Sequence, residues 1–356
     1  MSTRRRMVGL AAATAGTLAA GGVAAALASR RSVRRRREQS TSRDPFGSLR
    51  SEPIHVTTTD GIHLYAEVDE PDGVDGHADE PTIVFVHGYA LNLDCWHFQR
   101  QYFRGTRRLV FYDQRSHGRS ERSHVDHATI DQLGHDLYSV LEQLVPEGPV
   151  VLVGHSMGGM SIMSLADHHP ELFGDRVVGV GLVSTTAGGL KSHRVISPYL
   201  PDRVMSQLTP RFMALLARAP GLVDGARRTG SDIGFLVTSK MAFGTDVPTP
   251  YIEFVDEMLA QTPFGVIAEF FPNFDQLDKF SVLKAFEQVP TVIVCGTGDV
   301  LTSIGHSRKM ASRIRGVELV EVPEAGHMVI LERYEAVNAA IERMIADAKA
   351  TESDAV

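Results

Sequence analysis

Hydrophobic and polar positions follow a regular order from residue 53 onward. Residues 54–58 and 62–68 each mix apolar and polar side chains in short alternation, and Asp60-Gly61 between them is a hairpin signal. They predict two antiparallel strands. Six further runs are apolar with little alternation: residues 82–86, 109–112, 150–153, 177–183, 292–295 and 317–322. A strand apolar on both sides is buried on both faces, so these runs predict a mostly parallel sheet covered by helices. Helical periodicity lies between them. In residues 129–145 the apolar side chains fall at Ile130, Leu133, Leu137, Val140, Leu141 and Leu144, a 3.6-residue repeat. Residues 156–169 and 335–346 read the same way. Eight strands, two antiparallel and six alternating with helices, predict a doubly wound α/β fold.

One stretch breaks this order. Between Thr186 and Gln288 no strong strand pattern occurs, while Phe212, Met213, Phe235, Met241, Phe243, Phe254, Met258, Phe264, Phe270 and Phe271 crowd it and eight prolines punctuate it. It reads as a helical insertion over residues 186–288, within a core built from residues 51–185 and 289–348.

Composition narrows the class. With 356 residues and 43% hydrophobic against 22% charged side chains, the chain is long enough and apolar enough to bury a large core. Two cysteines, Cys95 and Cys295, supply neither a disulfide framework nor a cysteine-based zinc site. The net charge of −7 is unevenly spread: residues 1–50 hold eleven Arg against Glu38 and Asp44, so the body is strongly acidic. An acidic body argues against nucleic-acid partners.

The basic N-terminal region needs a separate account. Arg4, Arg5 and Arg6 precede an uncharged run from Met7 to Ala28, and Arg30, Arg31 and Arg34 to Arg37 follow it. Twenty-two uncharged residues span a bilayer as a helix, so the run predicts a single N-terminal membrane span and membrane association through residues 7–28. The surplus of arginine after the span puts the body on the cytoplasmic side. A cleaved export signal competes, since Ala26-Leu27-Ala28 resembles a cleavage site and the early arginines loosely resemble a twin-arginine signal. So does a plain Ala-rich tail on a cytoplasmic protein. Glu38 to about Arg50 reads as a linker.

The chemistry gathers at five places. Gly154-His155-Ser156-Met157-Gly158 follows a buried strand and opens a helix, the setting of a G-x-S-x-G nucleophile elbow. Its glycines let the chain turn sharply and lift Ser156 above the sheet. The Met157 amide then opens a helix and faces a developing oxyanion. A serine hydroxyl needs a base and an orienting acid, expected in the order Ser, acid, His. Asp299 ends the strand-and-turn Cys295-Gly296-Thr297-Gly298-Asp299 and is preferred over Asp275 and Asp278, which follow no strand. His327 follows the last strand behind Gly326 and is preferred over His193 and His306. A second oxyanion donor is expected from the Tyr89 amide after His87-Gly88, with the Tyr89 side chain lining the pocket or lying over it.

Together Val86-His87-Gly88, Asp113-Gln114-Arg115-Ser116-His117-Gly118-Arg119-Ser120, the Ser156 elbow, Gly296-Thr297-Gly298-Asp299 and Gly326-His327 resemble the α/β-hydrolase superfamily in its serine-nucleophile branch. The resemblance spans about residues 53–347. It implies that Asp113, Arg115 and His117 buttress the site loops, where Gly is usual in place of Ser116, and that His155 packs behind the nucleophile. It also implies a helical cap over the site after the sixth strand, which residues 186–288 fit. Asp-nucleophile dehalogenases and epoxide hydrolases are excluded by Ser156. The implied activity is cleavage of small-molecule carboxylic esters, esterase- or lipase-like; the Phe, Leu and Met of the insertion point to an apolar acyl or aryl part, and the N-terminal span, if it forms, points to a membrane-derived ester such as a monoacylglycerol. No metal-ligand cluster or phosphate-cradling loop stands out, so no cofactor or metal is expected. Thioester hydrolysis, C–C-bond hydrolysis and perhydrolysis use the same triad. A non-catalytic ligand-binding homologue is the alternative of another class.

Overall fold

The computed structural model describes residues 44–73, 80–191 and 232–355. Its sheet has eight strands: β1 (Pro53–Thr57), β2 (His63–Asp69), β3 (Thr82–Val86), β4 (Leu109–Tyr112), β5 (Val150–His155), β6 (Val177–Val183), β7 (Thr291–Gly296) and β8 (Glu318–Val322). They lie in the order β1-β2-β4-β3-β5-β6-β7-β8. Only β2 pairs antiparallel, with β1 and with β4; the other neighbours are parallel. The chain crosses over between β3 and β4, so the loops after β3 and β5 open side by side at one end of the sheet, where ligands bind in such folds.

Helices cover both faces: α1 (His97–Phe103), α2 (Ile130–Leu144), α3 (Met157–His168), α7 (Ile304–Ala311), α8 (Val329–Glu332) and α9 (Tyr334–Ala355). Between β6 and β7 stand α4 (Asp232–Ala242), α5 (Thr249–Gln261) and α6 (Phe264–Gln276). The continuous apolar runs are explained by two cores, one on each face. Ile83 and Phe85 of β3 and Val151 and Val153 of β5 pack toward α1, α8 and α9. Their neighbours Val84, Val86, Val150 and Leu152 pack toward α2 and α3. Thr129 caps α2 by accepting the Gln132 amide at 3.1 Å. Cys95 and Cys295 are free and buried, as two isolated cysteines should be.

Two N-terminal expectations change. The single membrane span is corrected: no helix among the described residues is long and apolar enough to cross a membrane, and residues 7–28 lie outside them. The physical weakness of that span is its composition, ten Ala and four Gly with only six larger apolar side chains. The membrane localisation built on it is set aside. The second change concerns the linker. Residues 44–50 pack onto the body, with Phe46 stacked on Phe254 of α5 at 4.7 Å and Arg50 paired with Asp94.

Candidate active site

Ser156 stands alone between β5 and α3, with φ 52° and ψ −116°. A side chain strains this conformation, so the surroundings must hold it. They do so through backbone contacts. The Ser156 amide donates to Val183 O at 2.9 Å, and the Ser156 carbonyl accepts from Gly159 N at 3.0 Å and Thr185 Oγ1 at 2.6 Å. The elbow glycines are steric necessities. A Cβ on Gly158 would sit 2.0 Å from the Val86 carbonyl oxygen, and one on Gly154 would sit 2.6 Å from the Gly158 backbone.

Asp299 and His327, expected from their order along the chain, are in contact. Asp299 follows β7, His327 follows β8, and His327 Nδ1 lies 2.9 Å from Asp299 Oδ2. Both residues are buried. Asp299 Oδ1 accepts the amides of Leu301 and Thr302 at 2.8 and 2.9 Å, and Oδ2 also accepts the Thr302 hydroxyl at 2.9 Å. Burial alone would raise the Asp299 carboxyl, but the nearby His327 and these donors hold it at about 2. An ionised acceptor on Nδ1 keeps the imidazole proton there and leaves Nε2 bare.

The loop after β3 is fixed by His87. Its Nε2 accepts the Gln114 amide at 2.8 Å, so Nδ1 carries the proton and donates to Gly88 O at 2.8 Å. Amide and carbonyl of one peptide point in opposite directions, so this bond aims the Tyr89 N–H away from the His87 ring. Gly88 lies against Ser156: a Cβ there would be 3.2 Å from Ser156 Cβ and 2.8 Å from His155 Nδ1. The Tyr89 hydroxyl donates to Ile267 O of α6, and its ring packs edge-on to Phe274 at 4.9 Å.

Ser156 and His327 open into one cavity of about 770 Å³. Its floor is Gly88, Tyr89, His155 and Met157's neighbour Ser156, while α4, α5 and α6 form its walls with Met241, Val255, Leu259, Ile267, Phe271 and Phe274. The aromatic wealth of the insertion is therefore divided. Phe271 and Met241 face the cavity, Phe243, Phe254, Met258 and Phe270 fill the hydrophobic cores, and Phe274 does both. Phe212, Met213 and Phe235 lie outside the residues whose side chains are described, as does His193.

The remaining sequence candidates fall where a buttressing role would put them. Asp113 accepts the amides of Leu93 at 2.7 Å and Arg119 at 2.8 Å, and buried Arg115 pairs with Asp136 and Asp60. Ser116 has φ 65°, which is why glycine suits that position. His306 bonds Thr186 at 3.0 Å, outside the cavity. Asp278 bridges to Gly188, and His327 Nδ1 is engaged by Asp299 rather than by Asp275 or Asp278. His155 is fully buried beside the cavity: its Nε2 lies 3.0 Å from His327 O. That carbonyl can only accept, so His155 carries its proton on Nε2. Burial, chiefly, lowers His155 to about 3 and keeps it neutral. Thr302 is the residue that sequence reasoning missed; Asp followed three residues later by Thr is a turn signal that would have found it.

Residues 83–340 match a model described as the alpha/beta hydrolase family, which covers well over half of the chain. The chain belongs to the alpha/beta hydrolase family. This alpha/beta hydrolase is 27% identical over 281 residues to 3-oxoadipate enol-lactonase 2 of Acinetobacter baylyi, covering 76% of the chain and 90% of that protein. It is 38% identical over 267 residues to the sn-1-specific diacylglycerol lipase ABHD11 of Mus musculus, covering 72% of the chain and 78% of that protein. Among solved structures, the enol-lactonase from Burkholderia xenovorans superposes with a TM-score of 0.64 at 23% identity, over 82% of the chain and all of that protein. An esterase from Thermogutta terrifontis gives 0.62 at 22% identity, over 84% of the chain and 99% of that protein. The fold is that of the family.

Proposed function

We propose that this alpha/beta hydrolase is a serine hydrolase that cleaves carboxylic esters through an acyl-enzyme. The observation that carries the reading is the convergence of an elbow serine and an acid-paired histidine on one apolar cavity. Ser156 attacks the ester carbonyl while His327 Nε2 takes its proton. Asp299 keeps the imidazole in that tautomer and stabilises the imidazolium. The Tyr89 and Met157 amides receive the oxyanion, and a pair of aimed donors is worth several kcal/mol, each roughly 10²–10³ in rate. His327 then protonates the leaving alcohol, and water repeats the sequence on the acyl-enzyme.

The substrate class follows from the walls. Apart from the site residues themselves, the lining is dominated by Leu, Ile, Val, Met and Phe, and its one Lys, Lys240, is exposed. Such a wall favours an apolar acyl or aryl group, and the volume suits a medium-length chain. Residues 186–288 are read as the cap, of which the described helices α4, α5 and α6 wall this cavity, and residues 51–185 with 289–348 as the catalytic body. The enol-lactonase and lipase relatives are in keeping with ester chemistry. The test is kcat/KM across p-nitrophenyl esters from acetate to palmitate. The expected result is a rise beyond acetate, abolished by Ser156→Ala with a loss on the order of 10⁶ in kcat. Activity that Ser156→Ala leaves unchanged removes the reading.

A further inference from the structure

Two backbone segments from different parts of the fold meet at one buried side chain. Glu332 closes α8, five residues after His327, and is 7% exposed. Its Oε2 accepts the Gly326 amide at 2.7 Å and the Gly244 amide at 3.1 Å. Its Oε1 accepts the Thr245 amide at 2.7 Å and the Thr245 hydroxyl at 2.5 Å. Gly326 immediately precedes the base. Gly244 and Thr245 form the strand of chain that leaves cavity helix α4. The two segments touch backbone to backbone: a Cβ on Gly244 would lie 2.0 Å from Glu324 O, and one on Gly326 would lie 2.4 Å from Gly244 N. Met328 N adds a bond to Ala242 O at 2.8 Å. The same junction reaches the acid turn, where Gly298 N donates to Ala325 O at 2.9 Å.

We propose that Glu332 is a positioning residue that ties the cap to the catalytic base, an inference that rests on reading His327 as the general base. Oε2 holds Gly326, and therefore the start of the His327 backbone, together with Gly244, while His155 holds the His327 carbonyl at 3.0 Å. Oε1 holds Thr245 beside Gly244 at the exit of α4, whose side chains wall the cavity. Ionised acceptors make short, strong bonds to N–H donors, so one charged group fixes both segments at once. An amide replaces it poorly. With its NH₂ in the Oε2 place it faces the Gly326 and Gly244 amides, and in the Oε1 place it still faces the Thr245 amide, although the Thr245 hydroxyl can turn to accept. Cap seating and base geometry are then a single property of the fold: a disturbance at the cap exit reaches the rate of an ester too short to need the cap.

The experiment compares Thr245→Val and Glu332→Gln in the full chain. Thr245→Val removes one cap-side bond and leaves Gly326 untouched. It should lower kcat on p-nitrophenyl acetate about fivefold, the value of one hydrogen bond. Glu332→Gln should lower it tenfold to about a hundredfold, the range for a small misplacement of a catalytic group. Both should speed exchange of the His327 Nδ1 proton, read by NMR without turnover. If Glu332→Gln does not fold, Thr245→Val decides alone. Wild-type kcat together with wild-type proton exchange overturns the tie. So does a loss that is parallel across all esters, vanishes on cooling and leaves the His327 proton unchanged, since that is lost folded protein only. A wild type without Ser156-dependent hydrolysis defeats the functional reading instead, and the proton exchange in the two variants still decides the tie.

Discussion

Asp299→Asn exchanges one oxygen for an NH₂ group and should nearly abolish turnover, because the site dictates how the amide must sit. Asp299 Oδ1 accepts two backbone amides, from Leu301 at 2.8 Å and Thr302 at 2.9 Å. An NH₂ group there would face two donors in a place with 3% exposure, where water cannot relieve the conflict. The amide oxygen therefore takes the Oδ1 position and the nitrogen takes the Oδ2 position. There it meets His327 Nδ1, now 2.9 Å from a donor instead of an acceptor. The imidazole responds by accepting at Nδ1 and moving its proton to Nε2, the atom that deprotonates Ser156 in the proposed mechanism. A triad with the wrong histidine tautomer loses roughly 10⁴ in kcat, equivalent to about 5 kcal/mol in the barrier. Thr302 Oγ1 can turn to accept from the new NH₂, so the fold should survive. The assay is kcat on the best p-nitrophenyl ester, with a thermal melt to verify folding and fluorophosphonate labelling of Ser156 as an independent measure. A folded Asp299→Asn variant within tenfold of the wild-type kcat refutes the tautomer argument and the assignment of Asp299.

Two further predictions concern stability. Gly158→Ala places a Cβ 2.0 Å from the Val86 carbonyl oxygen, and the backbone has no flexible neighbour to yield. Urea unfolding should register a loss of at least about 3 kcal/mol or no folded protein, and wild-type stability would contradict the steric reading of the elbow. The pH dependence follows from three buried histidines, His87, His117 and His155, which burial lowers to about 3, 4 and 3. Unfolded, they titrate near 6.5, so the unfolded chain binds more protons and stability is lost as pH falls below about 6.5. Asp113, raised by burial to about 6, opposes this by one proton at most. The net of two protons gives a slope of up to about 3 kcal/mol per pH unit between roughly pH 6 and 4, measurable by urea unfolding at stepped pH. A flat profile would mean that these histidines are not held neutral.

Most of the architecture could be read from period alone. The run at residues 82–86 is apolar throughout because alternate side chains serve two cores, Ile83 and Phe85 on one face, Val84 and Val86 on the other. Residue 129 announces α2 as a capping threonine before a 3.6-residue repeat. Asp299 and His327 could be chosen because each ends a strand in the expected order, and order along the chain is local information. The N-terminal run misled for the opposite reason. Its length met the requirement of a span, while its alanine and glycine content carried little of the apolar surface that makes one. The division of the cap aromatics was not legible either. Phe270 and Phe271 are adjacent in sequence, yet one is buried in the core and the other lines the cavity. Only the rotation of α6 against its neighbours decides which.

Glu332 explains what periodicity cannot reach. In the sequence it is one acidic residue near the start of a long helical segment, where a glutamate is ordinary. Its partners are three backbone amides and a hydroxyl, at Gly244, Thr245 and Gly326. Backbone amides exist at every position, so no pattern of side chains marks them. What does mark them is the pair of glycines that must meet there, each intolerant of a Cβ because the other chain occupies the space. Close backbone approach leaves donors without room for water, and a carboxylate brought in from a third element is the compact group that can satisfy several at once. The cap thereby acquires a fixed attachment beside His327, and cavity shape and proton transfer come to depend on the same four bonds. Evolution of this cap toward another acyl group would have to keep Gly244 and Thr245 in register with Glu332, and Phe274 against Tyr89, while Phe271 lines the cavity with no part in those bonds.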